Sequence, residues 1–205
     1  MANITISLSG FKAGPNNTIY FGGTSSAQAP DLDWFEVINT DTTTTTAAVA
    51  AVTTQAAFDP TKTYSMSPYN ATGLAVDVNG NNMANGTAVQ QSTDNTTTAQ
   101  KFFFKDGGSG TFYIQSGNNS SFCLDDNGSS TADGVQMQIF TCNQTNAQRW
   151  KVIPDPTVAG AFSLVNVAGN TCLDETSAST ANGTRLQLWS CGAGNSNQRF
   201  YISAN

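Results

Sequence analysis

The sequence predicts an all-β fold built from three copies of one unit, and three observations carry that expectation. First, Asp77, Asp125 and Asp174 each have a Gly nine residues on (Gly86, Gly134, Gly183) and a Gln thirteen on (Gln90, Gln138, Gln187), a self-similarity with a period of about 48 to 50 residues. Second, each unit closes on a Gln-x-aromatic triplet: Gln100-Lys101-Phe102, Gln148-Arg149-Trp150 and Gln198-Arg199-Phe200. Third, from about Pro60 onward short β-prone runs recur every eight to twelve residues, separated by turn dipeptides such as Asn79-Gly80, Asn127-Gly128 and Asn182-Gly183. Four short strands per unit, three times over, is the strand count of a β-trefoil.

Residues 1–40 come first and read as a β-rich segment, with Ile4, Ile6 and Leu8, then Ile19-Tyr20-Phe21, then Trp34 to Ile38, divided by Gly, Pro and Asn. Residues 41–59 form a Thr/Ala-rich stretch whose composition is that of a linker, although a helix over Ala47 to Ala57 stays open. Residues 60–205 hold the three units. Runs such as Tyr64 to Met66, Phe122 to Leu124, Met137 to Phe140 and Leu186 to Trp189 are the expected strands. In each triplet the aromatic lies two residues after the Gln, so in a strand both share a face. Phe102, Trp150 and Phe200 are therefore expected to pack around a pseudo-threefold axis, with the Gln amides tying down the adjoining turns.

Only 11% of the residues are charged, with eight basic against fourteen acidic and a net charge of −6. Without a cluster of Lys or Arg there is nothing to displace counterions from a phosphate backbone, so no nucleic-acid partner is expected. No apolar run approaches the ~20 residues of a membrane helix, so no membrane insertion is expected either. A surface of hydroxyls and amides suits neutral, hydroxyl-rich partners. Met1 to Gly10 lacks the basic and apolar regions of a signal peptide, and any leader is expected to have been removed.

Cys123 and Cys142 lie nineteen apart in the second unit, and Cys172 and Cys191 nineteen apart in the third. The first unit has Ala75 and Asp94 at the equivalent places, so both members of a pair are missing together. The repeat favours pairing within each unit among the three arrangements four cysteines allow. A zinc site lacks its parts, since there is no C-x-x-C and no His; no metal and no cofactor are expected. Disulfides imply secretion into an extracellular, oxidising space. Ten N-x-S/T sequons, among them Asn3, Asn16, Asn70, Asn95, Asn118, Asn143 and Asn182, are glycosylation candidates in the same compartment.

With these residues in place, the chain over roughly 60–205 resembles the R-type lectins, the ricin B-chain-like β-trefoils. In that family each unit has a Cys-x-Asp start, a turn Gly, a Gln-x-aromatic, a second Cys, and an Asn before the final Gln-x-Trp. The third unit carries every element: Cys172-Leu173-Asp174, Asn182-Gly183, Gln187-Leu188-Trp189, Cys191 and Asn197-Gln198-Arg199-Phe200. The resemblance implies a lectin for galactose or N-acetylgalactosamine-type glycans. A pyranose has one apolar C–H face and a rim of hydroxyls, so it needs a flat aromatic and a few fixed polar groups. Trp189 would be the platform, Asp174 the charged acceptor, and Asn197 and Gln187 the rim. Both Gln187 and Gln198 have a competing role as scaffold hydrogen-bonders, and that role weighs more on Gln198 than on Gln187.

The second unit offers a weaker version, with Asp125, Gln138, Phe140 and Gln148, but Ala147 replaces the expected Asn and Asn146 comes one residue early. In the first unit Asp77 and Gln90 persist while Ser92 stands at the platform and Ala99 at the Asn, so that unit reads as structural. Catalysis is not expected. The chain has no His, its only Glu residues are Glu36 and Glu175, and neighbouring acids such as Asp174 and Glu175 point to opposite faces of a strand. Two alternatives remain: a binding module detached from a secreted glycoside hydrolase, and a self-assembling glycoprotein that forms a homo-oligomer through residues 1–40.

Overall fold

The computed structural model describes residues 58–205. The expected segment 1–40 and residues 41–57 of the expected linker 41–59, with Asn3 and Asn16, lie outside the described residues. Twelve strands follow in three sets of four. The first repeat has β1 (Tyr64–Pro68), β2 (Leu74–Val78), β3 (Thr87–Thr93) and β4 (Phe102–Gly108). The second has β5 (Thr111–Ser116), β6 (Phe122–Asp126), β7 (Val135–Thr141) and β8 (Arg149–Pro154). The third has β9 (Ala161–Asn166), β10 (Cys172–Glu175), β11 (Leu186–Trp189) and β12 (Phe200–Ala204). The described helical segments are three-residue 3-10 turns, and no helix among the described residues is long and apolar enough to cross a membrane.

The outer strands of each repeat close into a six-stranded barrel: β1 pairs with β4, β4 with β5, β5 with β8, β8 with β9, β9 with β12, and β12 returns to β1. Closure removes the exposed edges that an open sheet would present. The inner strands form three hairpins, β2–β3, β6–β7 and β10–β11, that meet one another through β3–β7, β7–β11 and the bridge between Gln90 and Arg185. Barrel and hairpin cap together are a β-trefoil, as the repeat predicts.

Phe102, Trp150 and Phe200 are fully buried, and the Nε1 of Trp150 donates to the Leu124 carbonyl, so its one polar atom is satisfied. Around them lie Val76, Leu124 and Leu173 from one strand of each hairpin, and Val89, Met137 and Leu186 from the other. Phe58 stacks on Phe104 at 4.1 Å and meets Tyr64 and Phe112 edge-on. The triplet glutamines bind as the sequence implies. Each Oε1 accepts a turn amide, from Asn95, Asn143 and Gly192, and each Nε2 donates to the carbonyl that ends the third strand, of Thr93, Thr141 and Ser190.

The repeating Asx-Gly turns stitch neighbouring repeats. Gly86, Gly134 and Gly183 have φ of 86° or less on the positive side, the region where a side chain is strained. Their N–H groups donate to Ile139, Leu188 and Gln91 of the next repeat around the ring. Disulfides join Cys123 to Cys142 and Cys172 to Cys191. The first repeat, without one, keeps the backbone bond from Asp94 N to Gly73 O that corresponds to Cys142 N to Ser121 O.

One close approach gives a direct test of the packing. At Gly117 a Cβ would lie 2.6 Å from the Lys101 carbonyl oxygen and 2.9 Å from its carbon, so the backbone would have to move. Gly117→Ala is expected to destabilise the domain by roughly 1–3 kcal/mol; a melt indistinguishable from wild type would show that the β4 end yields freely.

Candidate functional site

In the third repeat the hairpin β10–β11 sets Asp174 opposite Gln187 and Cys172 opposite Trp189. Alternation along β11 points Leu186 and Leu188 into the core and, with the strand ending at Trp189, leaves the indole in solvent. Trp189 is 43% exposed, whereas Asp174 is 2% exposed. Both line one shallow cleft of about 290 Å³, with the acid on its floor and the indole at its rim; Gln187, Asn195, Asn197 and the turn Thr176 to Ala178 complete it.

The Asp174 carboxylate is held by three side-chain amides. Gln187 Nε2 donates to Oδ1 at 2.8 Å, while Asn197 Nδ2 and Gln198 Nε2 donate to Oδ2 at 2.6 and 2.9 Å. A carboxylate accepts about four hydrogen bonds, so Oδ1 retains capacity for one hydroxyl. Burial pushes the Asp174 pKa up; the Gln187 and Gln198 amides pull it back, and the charge of Asp133 adds to the rise. Gln198 has no free atom for a ligand, since Nε2 serves both Asp174 and the Ser190 carbonyl and Oε1 accepts from Gly192. Gln187 and Asn197 both line the cleft, and among the described residues their side-chain oxygens accept no hydrogen bond.

The second repeat copies part of this. Asp125 accepts from Gln138 at 2.7 Å and Gln148 at 2.9 Å, and Gln148 is as fully engaged as Gln198. Phe140, opposite Cys123 on β7, is half-buried. Ala147 is buried with its carbonyl accepting from Asn166, and the exposed Asn146 makes no bond to Asp125, so the third donor is missing. In the first repeat Gln90 donates to Asp77 at 3.2 Å, Ser92 occupies the platform position and Ala99 is buried.

Thr176, Ser177, Ala178 and Asn195 were not legible as cleft residues. Ser177 and Ala178 adopt positive φ in a 3-10 turn that has no sequence signal. Asn195 had one: Gln198 lies twenty-four residues after Asp174, while Gln100 and Gln148 lie twenty-three after Asp77 and Asp125. The extra residue lengthens the loop Gly192 to Asn195 beside the cleft.

Two family models, a ricin-type β-trefoil lectin domain over residues 110–205 and a ricin-type β-trefoil lectin domain-like model over 63–140, together cover the region with this geometry. The chain belongs to the ricin-type β-trefoil lectins. Among solved structures, the trefoil resembles ThreeFoil, a designed threefold-symmetric protein, at 25% identity and TM-score 0.64, covering 68% of this chain and 96% of that one. It resembles an exo-β-1,3-galactanase from Clostridium thermocellum at 26% identity and TM-score 0.66, over 73% of this chain but 31% of the enzyme. A Macrolepiota procera ricin B-like lectin in complex with lactose has the same fold at 21% identity and TM-score 0.59, over 73% of this chain and 100% of the lectin. No curated protein sequence matches this lectin chain significantly.

Proposed function

We propose that the protein is a lectin that binds galactose or N-acetylgalactosamine-type glycans through the third repeat. The observation that carries this is a half-exposed indole at the rim of a cleft floored by a buried, amide-braced carboxylate. The indole face receives the C–H face of a pyranose. One hydroxyl donates to the free position on Asp174 Oδ1, a charge-assisted bond stronger than a neutral one. The carbonyl oxygens of Gln187 and Asn197 accept from neighbouring hydroxyls, and Gln198 acts behind them as a brace. Asp125, Gln138 and Phe140 form a second, weaker site, with Gln148 as its brace.

The lectin solved with lactose supports the galactoside class, and the disulfides support an extracellular setting. A glycan array of wild type and Trp189→Ala tests the reading. Galactosides are expected to dominate the wild-type signal, and Trp189→Ala to lower it about tenfold, about 1.4 kcal/mol, which is below the ~1.5–3 kcal/mol of fully burying a large apolar side chain. Binding unaffected by the substitution would move the site elsewhere.

A second reading has its own observation. The chain spans 31% of the galactanase it resembles, which fits a binding module that serves a larger hydrolase. Either way this chain binds and does not cleave; release of nitrophenol from chromogenic galactosides by the purified protein would contradict both.

A further inference from the structure

The turn between β6 and β7 belongs to the second repeat, yet it grips the third-repeat platform on both sides. Before Trp189, the Leu188 carbonyl accepts from Gly134 N at 2.8 Å. After it, the Asp133 carboxylate accepts from Ser190 N at 2.5 Å and from Ser190 Oγ at 3.0 Å on each oxygen. Between these anchors the indole lies along the same turn: a Cβ on Gly134 would sit 3.8 Å from Trp189 Cζ3. Trp189 is 43% exposed, so its own packing restrains the ring little.

The other two junctions make the same contact with an amide, one beside the half-buried Phe140 of the weaker site and one beside Ser92, which offers no platform. Asn85 Oδ1 accepts from Thr141 N and Oγ1 at 2.7 and 2.9 Å, and Asn182 Oδ1 accepts from Thr93 N at 2.8 Å. An amide oxygen suffices there. Only the junction beside the exposed indole has a carboxylate, and it alone engages the following residue with both oxygens. Ser190 is held from the other side too, since its carbonyl accepts from Gln198, the brace of Asp174. Asp133, Ser190 and Gln198 thus connect the indole to the carboxylate through one short chain of bonds.

We infer that Asp133 is a positioning residue of the third-repeat site, contributed by the second repeat, which sets the plane of the Trp189 indole for stacking on a neutral pyranose by clamping Ser190. The sugar-binding part of this inference rests on the lectin reading above; the restraint on the indole does not.

The test uses the full chain in a Trp34→Phe background, where Trp150 is fully buried and acrylamide quenching reports on Trp189. Asp133→Ala is expected to raise the quenching constant about twofold and to weaken lactose binding about tenfold. Asp133→Asn, which recreates the amide used at Asn85 and Asn182, is expected to recover most of both. Ser190→Ala, which keeps the N–H, should fall between them and keeps the test open if Asp133→Ala fails to fold. Unchanged quenching in Asp133→Ala overturns the inference whatever the sugar data show. So does an Asp133→Asn variant as impaired as the alanine, because a single amide oxygen holds both the N–H and the hydroxyl of Thr141 at the equivalent Asn85 junction. If wild type binds no galactoside, the lectin reading fails, and the quenching arm alone decides whether Asp133 holds the indole.

Discussion

Replacing Asp174 by Asn is expected to lower the affinity of the third-repeat site for galactosides by about 100-fold or more. Three amides converge on the two carboxylate oxygens, and all three present hydrogens to it. An Asn of the same size has one acceptor oxygen; its NH2 must face at least one donor head-on. Bonds to a charged group contribute roughly 1.5–3 kcal/mol each, and losing the equivalent of two corresponds to about two decades in Kd. The cost falls on binding twice over, through the lost charged acceptor and through release of Asn197 and Gln187 from their fixed orientation. Isothermal titration with lactose, beside a melt to show that the trefoil persists, makes the measurement. Affinity within about threefold of wild type would mean that the carboxylate is not the polar anchor. Because burial raises the Asp174 pKa, the ionised form that binding needs is lost at a higher pH than for an ordinary Asp, so affinity should decline on acidification from above pH 3.8.

The second large effect concerns stability and comes from the residue next in sequence. Glu175 is fully buried and neither of its oxygens has a hydrogen-bond partner. Its counterparts are Val78, part of the apolar core, and Asp126, equally buried and unpartnered. Burial pushes the Glu175 pKa up to about 7; the nearby Asn70 amide, outside hydrogen-bond geometry, offsets part of this and the charge of Asp174 adds to it. Asp126 is pushed up to about 6 by burial, with a backbone N–H at Ser130 opposing and the charge of Asp125 adding.

An acid with a raised pKa in the folded state favours the protonated fold. Its contribution is fully present below the ordinary value near 4.5 and is lost as pH rises through about 7. The domain is therefore expected to be more stable at pH 5 than at pH 8. Glu175→Gln should remove much of that slope. At pH 8 it should stabilise by about 3 kcal/mol at most, or on the order of 5–10 °C in Tm, helped by an NH2 that can donate to the unpartnered Asn70 Oδ1. Thermal melts of both proteins from pH 4.5 to 8.5 decide it; a wild-type Tm that is flat across this range sinks the argument. In the proposed site binding uses an ionised Asp174 while stability prefers a neutral Glu175, so the two adjacent acids are expected to pull the working range toward mildly acidic pH from opposite sides.

Much of this protein was readable before any coordinates, because a β-trefoil repeats its constraints three times. The invariant spacings from Asp to Gly to Gln, and the triplet that follows, each mark a contact that every repeat must make: the Asx-Gly stitch, the amide on the carboxylate, the aromatic at the axis. Periodicity of that kind survives in a linear string, as does cysteine pairing confined to a repeat. The sequence alone also distinguished Trp189 from Phe140 and Ser92.

Contacts between repeats were decided by the tertiary structure alone. In the sequence Asp133 simply precedes the repeat glycine Gly134, and nothing in its neighbours hints that it reaches Ser190, fifty-seven positions on. The triplet position marked Gln148 and Gln198 as turn-binders, but that they also brace Asp125 and Asp174 emerged only from the partners of every amide atom. In the sequence Glu175 is only the neighbour of Asp174, and its burial without a partner follows from how the hairpins meet. Local spacing encodes which faces a strand presents. Which atoms remain free once the barrel closes is a property of the whole ring of repeats.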